Sequence, residues 1–183
     1  MATTHSPAST WLDYARQIVE RAARHADPAQ VQPPPGEPPP HSGVFVTLHK
    51  LKRLRGCMGT LDASLPLAEA IRHAAICAAM QDPRFPPLEA NELPHVRVEL
   101  SVMSPPEPLA SVEDLQLGRD GIIVQRSGRR GLFLPQVATE HHLDKETFLA
   151  RCCSEKAGLP PDAWRDPATE VLRFTTQVWK EPQ

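Results

Sequence analysis

Gly43-Val44-Phe45-Val46-Thr47-Leu48-His49-Lys50-Leu51-Lys52-Arg53-Leu54-Arg55-Gly56-Cys57-Met58-Gly59-Thr60 holds two strand-like runs, Val44 to His49 and Leu54 to Thr60, on either side of Lys50-Leu51-Lys52-Arg53. Apolar and β-branched residues bounded by a short charged tetrad read as a hairpin. Further along, Val96, Val98, Leu100 and Val102 alternate with Arg97, Glu99 and Ser101, the pattern of a half-buried strand. Gly121 to Gln125 and Gly131 to Leu134 form a second pair that turns at Ser127-Gly128, and Leu172 to Val178 alternates in a final strand. Helical spacing appears from Pro66 to Met80, and from Asp144 to Ala157 with Asp144 as N-cap and Gly158 beyond the end. Strand pairs joined by tight turns, with helices between them, predict an α+β fold with a mainly antiparallel sheet and packed helices.

Ahead of this core, Leu12, Ala15, Ile18, Val19, Ala22 and Ala23 recur at helical spacing, and Ser9 or Thr10 can cap the start. Gln32-Pro33-Pro34-Pro35-Gly36-Glu37-Pro38-Pro39-Pro40 admits only an extended, polyproline-like connector. The expected organisation is a helix within residues 1–26 packed on the core, a proline-rich linker over 27–42, and a domain over 43–180.

The chain has 183 residues and a formal charge of −2, so it offers no global attraction to nucleic acid or anionic lipid. Met1-Ala2-Thr3-Thr4-His5 lacks a basic region followed by an apolar run, and no stretch reaches the roughly 20 apolar residues of a membrane span. Four cysteines without a C-x-x-C pair read as reduced thiols, and the expected location is the cytoplasm.

Chemistry concentrates at Cys57. With a side-chain period of two, Leu54 and Met58 share the core face, and Arg55 and Cys57 share the other. A guanidinium beside a thiol favours the nucleophilic form, and Gly56 and Gly59 let a ligand or another backbone approach closely. A small cysteine packed where glycines permit tight strand contact is the competing reading. Asp82 and Arg84, two residues apart in a proline-stiffened loop, could bind a charged substrate or orient a base, although a capping Asp82, an Arg84 bridged to a carboxylate and a buried Phe85 are the stronger reading. Glu99 becomes a general base, or the partner of Arg55, if its strand neighbours Cys57. Catalytic candidates are therefore Cys57, Arg55 and Glu99, and substrate-binding candidates are Gly56, Gly59, Asp82 and Arg84.

Leu54-Arg55-Gly56-Cys57-Met58-Gly59-Thr60-Leu61 resembles the signature of the AMMECR domain family, called AmmeMemoRadiSam system protein A in bacteria and archaea. The likeness extends over Gly43-Val44-Phe45-Val46-Thr47-Leu48, Asp82-Pro83-Arg84-Phe85-Pro86-Pro87, Glu92-Leu93-Pro94 and Gly131-Leu132-Phe133-Leu134-Pro135-Gln136-Val137, from about Gly43 to Trp179. Arg72-His73-Ala74 stands where many members carry Glu-Asn-Ala. The resemblance implies an α+β domain with a larger and a smaller lobe, centred on the Leu-Arg-Gly-Cys-x-Gly motif. It implies Memo-type and radical S-adenosylmethionine proteins as partners, with a non-catalytic RNA- or protein-binding module as the alternative. No cofactor is expected. The basic clusters Lys50, Lys52, Arg53 and Arg126, Arg129, Arg130 mark the two hairpins; without interleaved aromatics they predict at most weak nucleic-acid binding. His141-His142 and Cys152-Cys153 lack the spacing of a zinc site, so no metal is expected.

Overall fold

The computed structural model describes residues 10–182. Two compact units emerge, one of Met1–Val102 with Gln177–Gln183 and the other of Met103–Thr176.

In the first unit, helix α1 (Trp11–Ala23) starts where Thr10 accepts the Asp13 N–H at 3.0 Å; the alternative cap, Ser9, lies outside the described residues. Its stripe of Tyr14, Ala15, Ile18, Val19, Ala22 and Ala23 is buried in the same cluster as the strands. Arg16 anchors the polar flank, donating to the carbonyls of Leu93 and Val96. Strands β1 (Gly43–Lys50) and β2 (Arg53–Thr60) form the expected hairpin. Its two turn residues, Leu51 and Lys52, have φ of 51° and 67°. This left-handed turn favours Asn-Gly, and each side chain here costs about 1–2 kcal/mol. Helix α2 (Leu67–Met80) buries Leu67, Ala70, Ile71, Ala74 and Ala78 against the hairpin; its small residues let the backbones come close. A 3-10 turn over Ala90–His95 leads into β3 (Val96–Met103), whose Val96, Val98, Leu100 and Val102 point into the cluster.

The second unit holds β4 (Glu107–Pro108), β5 (Asp120–Arg126), β6 (Arg129–Phe133), α3 (Pro135–Glu140) and α4 (Lys145–Arg151). Ser127 and Gly128 turn the β5–β6 hairpin with φ of 50° and 79°. The last helix departs from expectation. Asp144 caps it by accepting the Thr147 N–H, but α-helical bonding stops at Arg151 and a π turn carries Cys152–Lys156. The wider turn fits a site where Cys152 and Cys153 are both fully buried and the backbone at Ala157 presses on Gly131. Helix α3, opened by Pro135, is too short to leave a periodic signal.

Strand β7 (Glu170–Lys180) supplies its end to the first unit and its start to the second. In the first unit the strand order is β2-β1-β3-β7; in the second, β5 and β4 flank β7, and β6 lies beyond β5. The β1–β2, β4–β7, β5–β6 and β5–β7 ladders are antiparallel, and the fold is α+β. Among the described residues no helix is long and apolar enough to cross a membrane.

Candidate functional site

The hairpin register decides what surrounds Cys57. Pairing runs from Val44↔Thr60 to Leu48↔Gly56, then resumes at His49↔Leu54, leaving Arg55 as the extra residue of a β-bulge. Gly56 faces α2 so closely that a methyl group there would collide with the Ala78 carbonyl. Met58 also packs on the core, and Cys57 therefore takes the opposite face with Thr47, whose hydroxyl lies 3.3 Å from Sγ and is oriented to donate. The bulge overturns two expectations built on an unbroken period of two. Leu54 is 42% exposed rather than in the core, and Arg55 is buried rather than aligned with Cys57.

Arg55 donates from Nε and Nη2 to Glu92 at 3.0 and 2.8 Å, and from Nη1 and Nη2 to the carbonyls of Pro86 and Pro87. Glu92 also accepts from Lys50 Nζ at 2.8 Å and from the Glu89 N–H. The Arg55 guanidinium first, then Lys50, lowers the Glu92 carboxyl from 4.5 to about 2.

The loop after α2 closes over the open side of β2. Asp82 accepts the Cys57 N–H at 2.9 Å, and Arg84 donates to the Cys57 carbonyl at 3.1 Å. Arg84 and Asp82 pair bidentately at 2.9 and 2.6 Å, so one residue pair holds both backbone polar groups of Cys57. Arg84, above all, keeps the buried Asp82 carboxyl well below the usual carboxylate range, helped by the Cys57 and Arg84 N–H groups. Asp82 in turn raises Arg84 above its ordinary value, and the Cys57 side chain acts in the same direction. The cation beside the thiol is thus Arg84. Phe85, half-buried, has the guanidinium carbons of Arg55 and Arg84 at 6.0 and 5.5 Å from its ring centre.

The fold brings Cys57, Asp82 and Arg84 together, sets Gly56 against α2, and packs Gly59 on the Phe45 ring and the Val44 carbonyl. It does not bring Glu99 to Cys57. Glu99 lies on β3, with β1 between it and β2, and pairs with Lys180 at 2.9 Å; the partner of Arg55 is Glu92. Sequence reasoning missed the roles of Thr47 and Glu92. A two-residue turn without a bulge would place Thr47 opposite Gly56, one position from where it lies. Of the basic hairpin residues, Lys50 and Arg55 are held by Glu92, Arg126 by Asp166 and Arg129 by the Gly158 carbonyl. Among the described residues no group of three or more His, Cys, Asp or Glu could hold a metal ion.

Acid stability follows from these carboxylates. Glu92 and Asp82 both have depressed folded-state values, so their stabilisation is complete above the unfolded values; for Glu92 it is lost as pH falls from 4.5 towards about 2, and for Asp82 at still lower pH. For Glu92 the loss is on the order of 3 kcal/mol. Urea midpoints should fall steeply between pH 5 and pH 2.5, and the slope should flatten in Glu92→Gln. Equal midpoints at the two pH values would refute this account.

The AMMECR1 family model matches residues 12–179. The chain belongs to the AMMECR1 family. An AMMECR1 relative from Thermococcus gammatolerans is 44% identical over 91% of this chain and 86% of its own length. Another, from Methanothermobacter thermautotrophicus, is 51% identical over 76% and 75%. The crystal structure of the uncharacterised protein PH0010 from Pyrococcus horikoshii superposes with a TM-score of 0.72 at 40% identity, over 93% of this chain and 89% of that one. The AMMECR1 match begins within α1 and so spans helix, linker and hairpin together.

Proposed function

We propose that this AMMECR1 protein works through Cys57 as a nucleophilic thiol, in catalysis or in substrate activation, alongside Memo-type and radical S-adenosylmethionine proteins. The observation that carries the reading is the clamp on the Cys57 peptide by Asp82 and Arg84. Fixing both backbone groups sets the direction of the Cα–Cβ bond, and the Thr47 hydroxyl 3.3 Å from Sγ supports the thiol from the same face. Positive charge next to a partly exposed thiol is the setting in which reactive cysteines are found. Arg84, half-exposed, is free to turn part of its guanidinium to an anionic substrate. Asp82 and Arg55 act as positioning residues, the first through Arg84 and the Cys57 N–H, the second through Glu92 and the proline carbonyls. The partners rest on the family resemblance alone.

Thiol labelling tests the reading. Cys57 is half-buried, whereas Cys77, Cys152 and Cys153 are buried. Burial raises the Cys77 and Cys153 thiols and, with the neighbouring Cys153, pushes Cys152 up to about 12. Limiting iodoacetamide on the native protein, mapped by mass spectrometry, should therefore modify Cys57 first, and Arg84→Gln should slow that reaction. Modification of any buried cysteine ahead of Cys57 would sink the proposal.

A further inference from the structure

We propose that a groove beside the first hairpin binds a small organic anion, a phosphate monoester or carboxylate carried on an apolar body. The groove measures about 370 Å³, within the range that small ligands occupy. Its basic side chains come from separate elements: His49 from β1, Lys52 from the turn, His95 from the 3-10 turn and Arg97 from β3. The two carboxylates in its wall are already engaged. Glu99 holds Lys180 at 2.9 Å, and Glu181 accepts the Val98 N–H at 2.8 Å and an Arg16 N–H at 3.4 Å.

Against them stands a surplus of donors. The side chains of His49, Lys52 and His95 make no hydrogen bond or ion pair among the described residues. Arg97 spends Nε and Nη1 on the carbonyls of Pro182, Pro94 and Val96, leaving Nη2 without a described acceptor. An oxyanion placed among them would meet donors on several sides.

The turn supplies an independent reason. Leu51 and Lys52 both occupy the left-handed region, where Asn-Gly would fold better, and Leu51 is 73% exposed. A strained apolar residue held out in water works against folding, and strain of this kind collects at ligand sites. Both side chains line the groove, Leu51 offering an apolar wall next to the Lys52 ammonium. The sequence of the turn is accounted for by what it presents to a ligand. Nothing in this inference depends on the chemistry of Cys57.

Calorimetric titration of the whole chain with phenyl phosphate, phenylacetate and inorganic phosphate tests it. At low salt at least one of the two aromatic anions should bind about tenfold more tightly than inorganic phosphate, and its binding should weaken as salt is added. Which of the two binds identifies the oxyanion. The double substitution Leu51→Asn with Lys52→Gly should weaken that binding at least about tenfold while leaving the melting temperature unchanged or higher. Should the turn variant misfold, Lys52→Ala with Arg97→Ala carries the same expectation for binding. Absence of binding of both aromatic anions to the wild type, or undiminished binding in a folded variant, would overturn the proposal.

Discussion

An Arg55→Ala variant should unfold with a loss of about 3–5 kcal/mol, the range found when one partner of a buried ion pair is removed. The side chains of Arg55 and Glu92 are only 10% and 14% exposed. Without the guanidinium, Glu92 keeps Lys50 and the Glu89 N–H but loses its two-pronged partner, and the carbonyls of Pro86 and Pro87 lose their donors. Arg55→Lys should recover only part of the loss, because an ammonium cannot span a carboxylate and two carbonyls in one plane. Urea unfolding at pH 7 measures both. A loss below about 1 kcal/mol for Arg55→Ala would mean that the pair is solvated like a surface bridge and does not hold the loop.

The second large effect is expected at Gly56. Its missing side chain is replaced by the Ala78 carbonyl of α2, and backbone cannot swing aside as a side-chain tip can. Gly56→Ala should therefore cost about 3 kcal/mol by forcing β2 away from the helix. Cys57→Ser, one residue along on the open face, should cost less than about 1 kcal/mol. Near-equal stability of the two variants would show that the hairpin and α2 separate at little cost. The pair also separates the two residues of the Gly-Cys motif: the glycine is held against the Ala78 carbonyl, while the cysteine lies on the open face.

Strands whose side chains alternate cleanly were legible before the structure. Val96 to Val102 on β3 and the apolar stripe of α1 are buried as their periods require. The α+β arrangement followed from those periods and from the turns between them. What alternation conceals is the bulge. Leu54-Arg55-Gly56-Cys57 reads as an unbroken strand, and one inserted residue moves Leu54 into solvent and Arg55 out of it, while bringing Thr47 opposite Cys57. The candidate site was readable as a set of residue types, since Cys57, Asp82 and Arg84 do meet. Their contacts were not, because a loop 25 residues from Cys57 supplies them, and spacing along the chain carries no information about which backbone group a carboxylate will reach. Glu99 illustrates the converse, a well-placed polar residue on the wrong strand.

The clamp at Cys57 also bears on how the molecule behaves at high concentration. In the first unit β2 ends the strand order, and an outermost strand with bare amides and carbonyls is a template for another copy of the same chain. Cys57 is opposite Thr47 without giving it the N–H that goes to Asp82, so the groups captured by Asp82 and Arg84 are those turned away from the sheet. The same two side chains that hold the Cys57 peptide thus withdraw its edge amide and carbonyl from self-assembly. Losing them would open the Cys57 amide and carbonyl to pairing beside a thiol that is already partly exposed, so that in solutions holding dissolved oxygen as the oxidant, sheet growth and intermolecular disulfide cross-linking would reinforce each other.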